Sequence, residues 1–226
     1  PSISPSFSDN VILAEGLDYK VLLSWEDKIS NMDSFGYNND YTAFLPLDKN
    51  RALLWVNHEY PNPLFLHKDE YKKEKTKKQV QKEMYNVGGS IVELNRNNGR
   101  SVWKVNLTSK YNRRVTAQTH IPFANNVAIK GKKYAVGTLG NCSGGVTPWG
   151  TILTCEENYD GFVGEREMGE RKISPSKLGW EKHYELPPEH YGWVVEVDPL
   201  SGKSKKHTSL GRFAHECANT TFSHQG

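Results

Sequence analysis

Four short stretches of the chain concentrate side chains that can do chemistry. Residues 53–63 (LLWVNHEYPNP) deliver Asn57, His58, Glu59 and Tyr60 at the end of an apolar run that Pro61 and Pro63 stop. Residues 137–150 (GTLGNCSGGVTPWG) read as a strand ending in a glycine-rich loop that presents Asn141 and Cys142. Residues 151–159 (TILTCEENY) end a second apolar run on Glu156 and Glu157, and residues 211–217 (GRFAHEC) hold His215 and Glu216. A strand exit suits a site, because the strand fixes a side chain's origin while the loop exposes it. Each stretch alone is ordinary: a strand-end His-Glu is usually a turn feature, and Cys142, Cys155 and Cys217 read singly as small packed residues. Recurrence raises them. His58-Glu59 is echoed by His215-Glu216, with Glu156-Glu157 between.

Carboxylates gathered in space repel unless a cation holds them. Hard cations such as Ca²⁺ take oxygen ligands, whereas a thiolate suits softer or redox metals such as iron. A set of Glu59, Glu156 and Glu216, joined by Cys142, would suit mixed metals better than calcium alone. Neighbouring strand residues point to opposite faces, so one of Glu156 and Glu157 faces a given site. The residues themselves rank the two equally. Other chemistries lack their spacing. The glycine-rich loop has no Gly-Lys-Ser/Thr, so it is no nucleotide P-loop, and neither His-Glu pair has the second histidine of a zinc-protease helix.

The elements that must position these groups read as strands. Apolar runs recur at 19–25, 52–57, 90–94, 133–138, 151–155 and 193–197, separated by Gly, Asn, Asp and Pro. One repeat is internal: residues 89–99 (GSIVELNRNNG) align without a gap to 192–202 (GWVVEVDPLSG), with Lys104 and Lys205 in the returning strands. Asn or Asp, a turn and then Gly is hairpin chemistry. Repeated hairpins of this kind fit the blades of an all-β propeller, whose ligands sit at the channel mouth. The expectation is one partial β-propeller domain over 1–226, with surface insertions at 67–84 and 165–188.

Composition narrows the partners. The formal net charge of +3 is small, and much of it comes from Lys68, Lys72, Lys73, Lys75, Lys77, Lys78 and Lys82. Asp69, Glu70, Glu74 and Glu83 are interspersed there, so 67–82 reads as a solvated helix or loop and no nucleic-acid partner is expected. No apolar run is long enough to span a membrane, and no secretory signal stands at Pro1. Three cysteines cannot all pair within one chain, which argues against a disulfide framework.

The motifs 55–60 (WVNHEY), 141–142 (NC) with 147–151 (TPWGT), 155–158 (CEEN), 192–199 (GWVVEVDP) and 211–216 (GRFAHE) resemble the successive motifs of PhoX-type alkaline phosphatases, in the family's order. The opening 19–25 (YKVLLSW) is similar to the start of that domain. The resemblance implies a β-propeller holding iron and calcium ions. It implies Cys142 as an iron thiolate and Glu59, Glu156 or Glu157, and Glu216 as carboxylate ligands at the catalytic centre. His58, Asn141 and His215 would orient these ligands. The implied reaction is hydrolysis of phosphate monoesters to inorganic phosphate, with the metals activating water or an oxo group. It further implies an exported, extracytoplasmic protein that is monomeric at full length, with small-molecule phosphate esters as substrates.

Family members are much longer, and their remaining ligands and basic phosphate-binding residues lie beyond this stretch. The expectation is a chain that stops before the propeller closes, with open edges prone to aggregate or swap. The region between His120 and Lys133 is also shorter than in the family. Two other readings fit the same residues. A calcium-dependent propeller esterase or lactonase would have no use for Cys142, and an inactive propeller fragment would serve as a binding module.

Overall fold

Two antiparallel meanders of four strands organise the chain in this computed structural model, which describes residues 3–70, 72, 74–98, 102–167, 169 and 172–223. The first meander runs β1 (Asn39–Pro46), β2 (Arg51–His58), β3 (Gly88–Asn95) and β4 (Lys104–Val105), and β5 (Arg113–Val115) also pairs with β3. A short hairpin of β6 (His120–Pro122) and β7 (Tyr134–Val136) follows. The second meander runs β8 (Asn141–Val146), β9 (Ile152–Glu156), β10 (Val194–Val197) and β11 (Ser204–His207).

Apolar side chains from both meanders meet in one core. Ala43, Trp55 and Ile91 of the first pack with Ile152, Val195 and Val197 of the second. Burial of such side chains is the main force holding the sheets together. The internal repeat falls on equivalent elements: 89–99 covers β3 and its turn, and 192–202 covers β10 and its turn. Lys104 pairs with Asn95, and Lys205 with Glu196, in the returning strands. Gly99 of the repeat lies outside the described residues.

Five of the six apolar runs form strands. The run 19–25 does not. Tyr19 and Val21 are more than half exposed, and no strand pairs with them among the described residues. Within this run Leu22 and Leu23 pack against Ile29, Phe35 and Val56, and Trp25 meets Tyr37 edge-on and donates to Asn86. The glycine-rich stretch also differs from its expectation, because Asn141 and Cys142 open β8 instead of sitting in a loop. The register of β8 on β9 shifts between Asn141 and Gly144. Gly144 there lies so close to the Leu153 carbonyl that a Cβ would collide with backbone.

The segments 67–84 and 165–188 pack on each other; Tyr71, Lys73, Met168, Glu170 and Arg171 within them lie outside the described residues. α1 (Pro63–His67) leads to α2 (Lys77–Asn86), which a Thr76–Gln79 capping box starts. Val80 and Met84 of α2 share a core with Leu139, Phe162 and Trp180. Glu83, expected on a solvated surface, is fully buried. Its carboxylate meets His67 Nε2 at 2.8 Å and accepts from Lys75 Nζ and Trp180 Nε1, each at 2.7 Å. No helix among the described residues is long and apolar enough to cross a membrane.

Candidate metal centre

Asp40 is the second residue of β1, Glu59 directly follows β2 and Cys142 lies in β8. Their ligand atoms all lie within 4.8 Å of one another. Cys142 Sγ is 3.9 Å from Asp40 Oδ2. Backbone pairing brings the carboxylates there, since Glu59 N donates to Asn38 O at 3.0 Å, beside Asp40 across the first hairpin. The second meander is joined through Asn57, whose amide donates to the Cys142 and Ser143 carbonyls. Asn57 Oδ1 in turn accepts from Trp55 Nε1 at 2.7 Å and Thr154 Oγ1 at 2.8 Å. The buried amide has a complete set of partners, which fixes Cys142 relative to β2.

The electrostatics are one-sided. Burial pushes the Cys142 thiol up to about 12, and Glu59, Asp40, Glu157 and Glu216 add to the shift in that order. Burial also raises the Glu59 carboxyl to about 7, helped by Asp40 and Glu157. Tyr60, stacked on Phe162 at 5.9 Å, is raised to about 12, first by burial and then by Glu59. Four carboxylates thus act on one thiol. A cation would relieve that repulsion. The donor set also fits one of mixed character, with carboxylate oxygens for a hard ion and a thiolate for iron.

The expected residues divide. Glu59 and Cys142 come together. Glu157 and Glu216 are near enough to act on Cys142, and Glu216 is held by Ser143 N donating to its carbonyl at 3.0 Å. Glu156 is turned inward and fully buried, with Lys206 Nζ 2.6 Å from its carboxylate. His58 is also fully buried. Its Nε2 is 2.7 Å from Ser90 Oγ, and its ring meets Phe35 edge-on at 4.8 Å. Burial, then Arg114, holds it well below the ordinary histidine value. Gly36 leaves no room beside that ring. Asn141 bonds to Thr138 and Thr154 hydroxyls. His215 is buried, with Nε2 3.0 Å from Gly211 O and its ring against Phe213.

Asp40 is the residue that sequence reasoning missed. It belongs to no motif, and only the pairing of β1 with β2 and the approach of β8 bring it to Cys142. Two larger hollows lie elsewhere. One, of about 860 Å³, is lined by residues including Lys130, Arg166 and Tyr184; the other, of about 940 Å³, by residues including His67 and Gln79. Neither borders the cluster.

The family profile described as Alkaline phosphatase PhoX matches residues 1–226. A solved structure, Pseudomonas fluorescens PhoX in complex with vanadate, a transition state analogue, is similar at 29% sequence identity and a TM-score of 0.73. The match covers 88% of this chain and 42% of that one. A search of curated proteins gives no match.

Proposed function

This chain belongs to the PhoX family of alkaline phosphatases, and from that premise we propose that it contributes part of the metal centre of a phosphomonoesterase. The observation that carries the reading is the convergence of Asp40, Glu59 and Cys142 within 4.8 Å. We propose iron and calcium as the ions, with Cys142 on iron and Asp40 and Glu59 as carboxylate ligands. Glu157 and Glu216 are the adjoining carboxylates, and Glu157 is preferred to Glu156 because Glu156 is committed to Lys206. Bound cations supply charge that offsets the phosphoryl oxygens and polarises the attacking water. The chain's own residues hold and orient. Asn57 fixes Cys142, and the buried His58 anchors the end of β2 from which Glu59 projects. Cys142 committed to a cation would not act as a nucleophile.

The finer fold reading is a propeller, supported by two successive four-stranded meanders with a matching sequence repeat on their third strands. Small phosphate esters as substrates, an extracytoplasmic location and a monomeric full-length protein belong to the same proposal. A calcium-dependent esterase or lactonase would leave Cys142 idle, and the position of that thiol among carboxylates favours the phosphatase.

The test replaces Cys142 with Ser in the full-length protein. Metal content and hydrolysis of an aryl phosphate at alkaline pH are then measured. The expected result is loss of bound iron and at least a 100-fold fall in activity, about 2.7 kcal/mol of transition-state stabilisation. Unchanged metal and activity would overturn the reading.

A further inference from the structure

Glu156 is the one acidic residue of the four chemical stretches that turns away from the cluster. Its carboxylate is enclosed and fully used. Oε1 accepts from Lys206 Nζ at 2.6 Å and from Leu139 N at 3.1 Å, and Oε2 accepts from Trp193 N at 3.1 Å. Lys206 is equally enclosed. It also donates to His190 O at 2.9 Å and lies 4.4 Å over the Tyr191 ring. A buried ion pair is often no more stabilising than well-packed apolar residues of similar volume. Stability alone therefore does not account for it.

The backbone around Glu156 suggests another role. Leu139, held by Oε1, lies three positions before Cys142. The Glu156 carbonyl accepts from His215 N at 3.0 Å, one position before Glu216. Glu157 follows directly, and its N–H donates to Gly140 O at 2.9 Å. Contacts beside Cys142, Glu157 and Glu216 thus converge on Glu156 and its immediate neighbour, in addition to the hold of Asn57 on Cys142 and of Ser143 on Glu216.

We propose that Glu156, neutralised by Lys206, is a positioning residue that sets Cys142, Glu157 and Glu216 around a bound cation. The inference rests on the metal-centre reading above. Groups that hold first ligands in place typically change metal affinity 10–100-fold when removed.

Cobalt(II) is a suitable probe, because a thiolate ligand gives it a charge-transfer absorption that reports Cys142 directly. The metal-stripped full-length protein is titrated beside Glu156→Gln and the double variant Glu156→Gln with Lys206→Met. A glutamine accepts through one oxygen only and turns its NH₂ toward either Leu139 N or Trp193 N. The double variant removes both charges together and so retains the fold where the single variant fails.

The expected result is a roughly 10–100-fold loss of cobalt affinity and a weakened thiolate absorption in a double variant that still unfolds cooperatively as a folded protein. Wild-type affinity and absorption in a folded double variant would overturn the positioning role. So would a loss of affinity that merely follows a loss of folded protein. Cobalt uptake that Cys142→Ser leaves untouched would remove the metal centre itself, and this inference with it.

Discussion

Below about pH 7 the surroundings of Glu59 favour its protonated form, with which a bound cation would compete. Its carboxyl sits at about 7 against an ordinary 4.5, raised first by burial and then by Asp40 and Glu157. A carboxyl raised in the folded state favours folding below its unfolded value, and that contribution falls as pH rises through the folded value. In the metal-stripped protein the loss should therefore run from about 4.5 to about 7 and then level off. Cation uptake should strengthen over the same window, because the metal competes with that proton. Urea unfolding across this range should show the decline, and Glu59→Gln should flatten it; an equal slope in the variant would assign the titration to another group. At this scale the sequence made Glu59 and Cys142 legible through their motifs. Asp40 was hidden because its relation to Cys142 spans 102 positions. The choice between Glu156 and Glu157 was hidden for another reason. β9 is buried along its whole length, so no polar alternation marks which face is inward.

Four of the five readable runs are strands with a partner on each side; the fifth, β7, pairs with β6 alone among the described residues. β2, β3, β9 and β10 are apolar runs because other elements cover both of their faces. β1 and β8 were harder. β1 mixes polar and apolar residues on a partly exposed edge, and β8 is rich in glycine, which reads as loop until the close Leu153 carbonyl explains it. The charged stretch 67–82 misled in one respect, since Glu83 just beyond it turned out to be an internal post. Removing its carboxylate would strand Lys75 and leave the Trp180 and His67 ring N–H groups without an acceptor. Glu83→Ala should cost about 3–5 kcal/mol, measured by denaturant unfolding. A cost below about 1 kcal/mol would show that water replaces the carboxylate and that this network does not hold α2 to the Trp180 segment. Thr76→Ala, which removes only the cap of α2, should cost about 1 kcal/mol.

Across the whole molecule, the candidate centre sits on the seam between the two meanders. Asp40 and Glu59 come from the first, and Cys142 comes from the second. A cation bound there would act as a clamp between sheets that also meet through side-chain packing, the Asn57 amide and Arg113 of β5, which donates to the Ser201 carbonyl at 2.6 Å. Chelation should therefore lower the melting temperature of the full-length protein. The clamp is worth about 2.7 kcal/mol when free cation exceeds its dissociation constant by about 100-fold. Restoring metal should recover the melting point in the wild type and not in Cys142→Ser; recovery in both would place the stabilising ion elsewhere. The two-meander plan was readable from the repeat at 89–99 and 192–202, whereas the seam was not, because no local pattern records which edges face each other. The seam also imposes an order of events. A chain emerging from its N-terminus displays Asp40 and Glu59 long before Cys142 exists, so the early pair can hold an ion only weakly. On the metal-centre reading proposed above, selective capture would wait until β8 docks, so metal loading would be a late step of maturation and the ion taken would be set by the compartment where docking finishes.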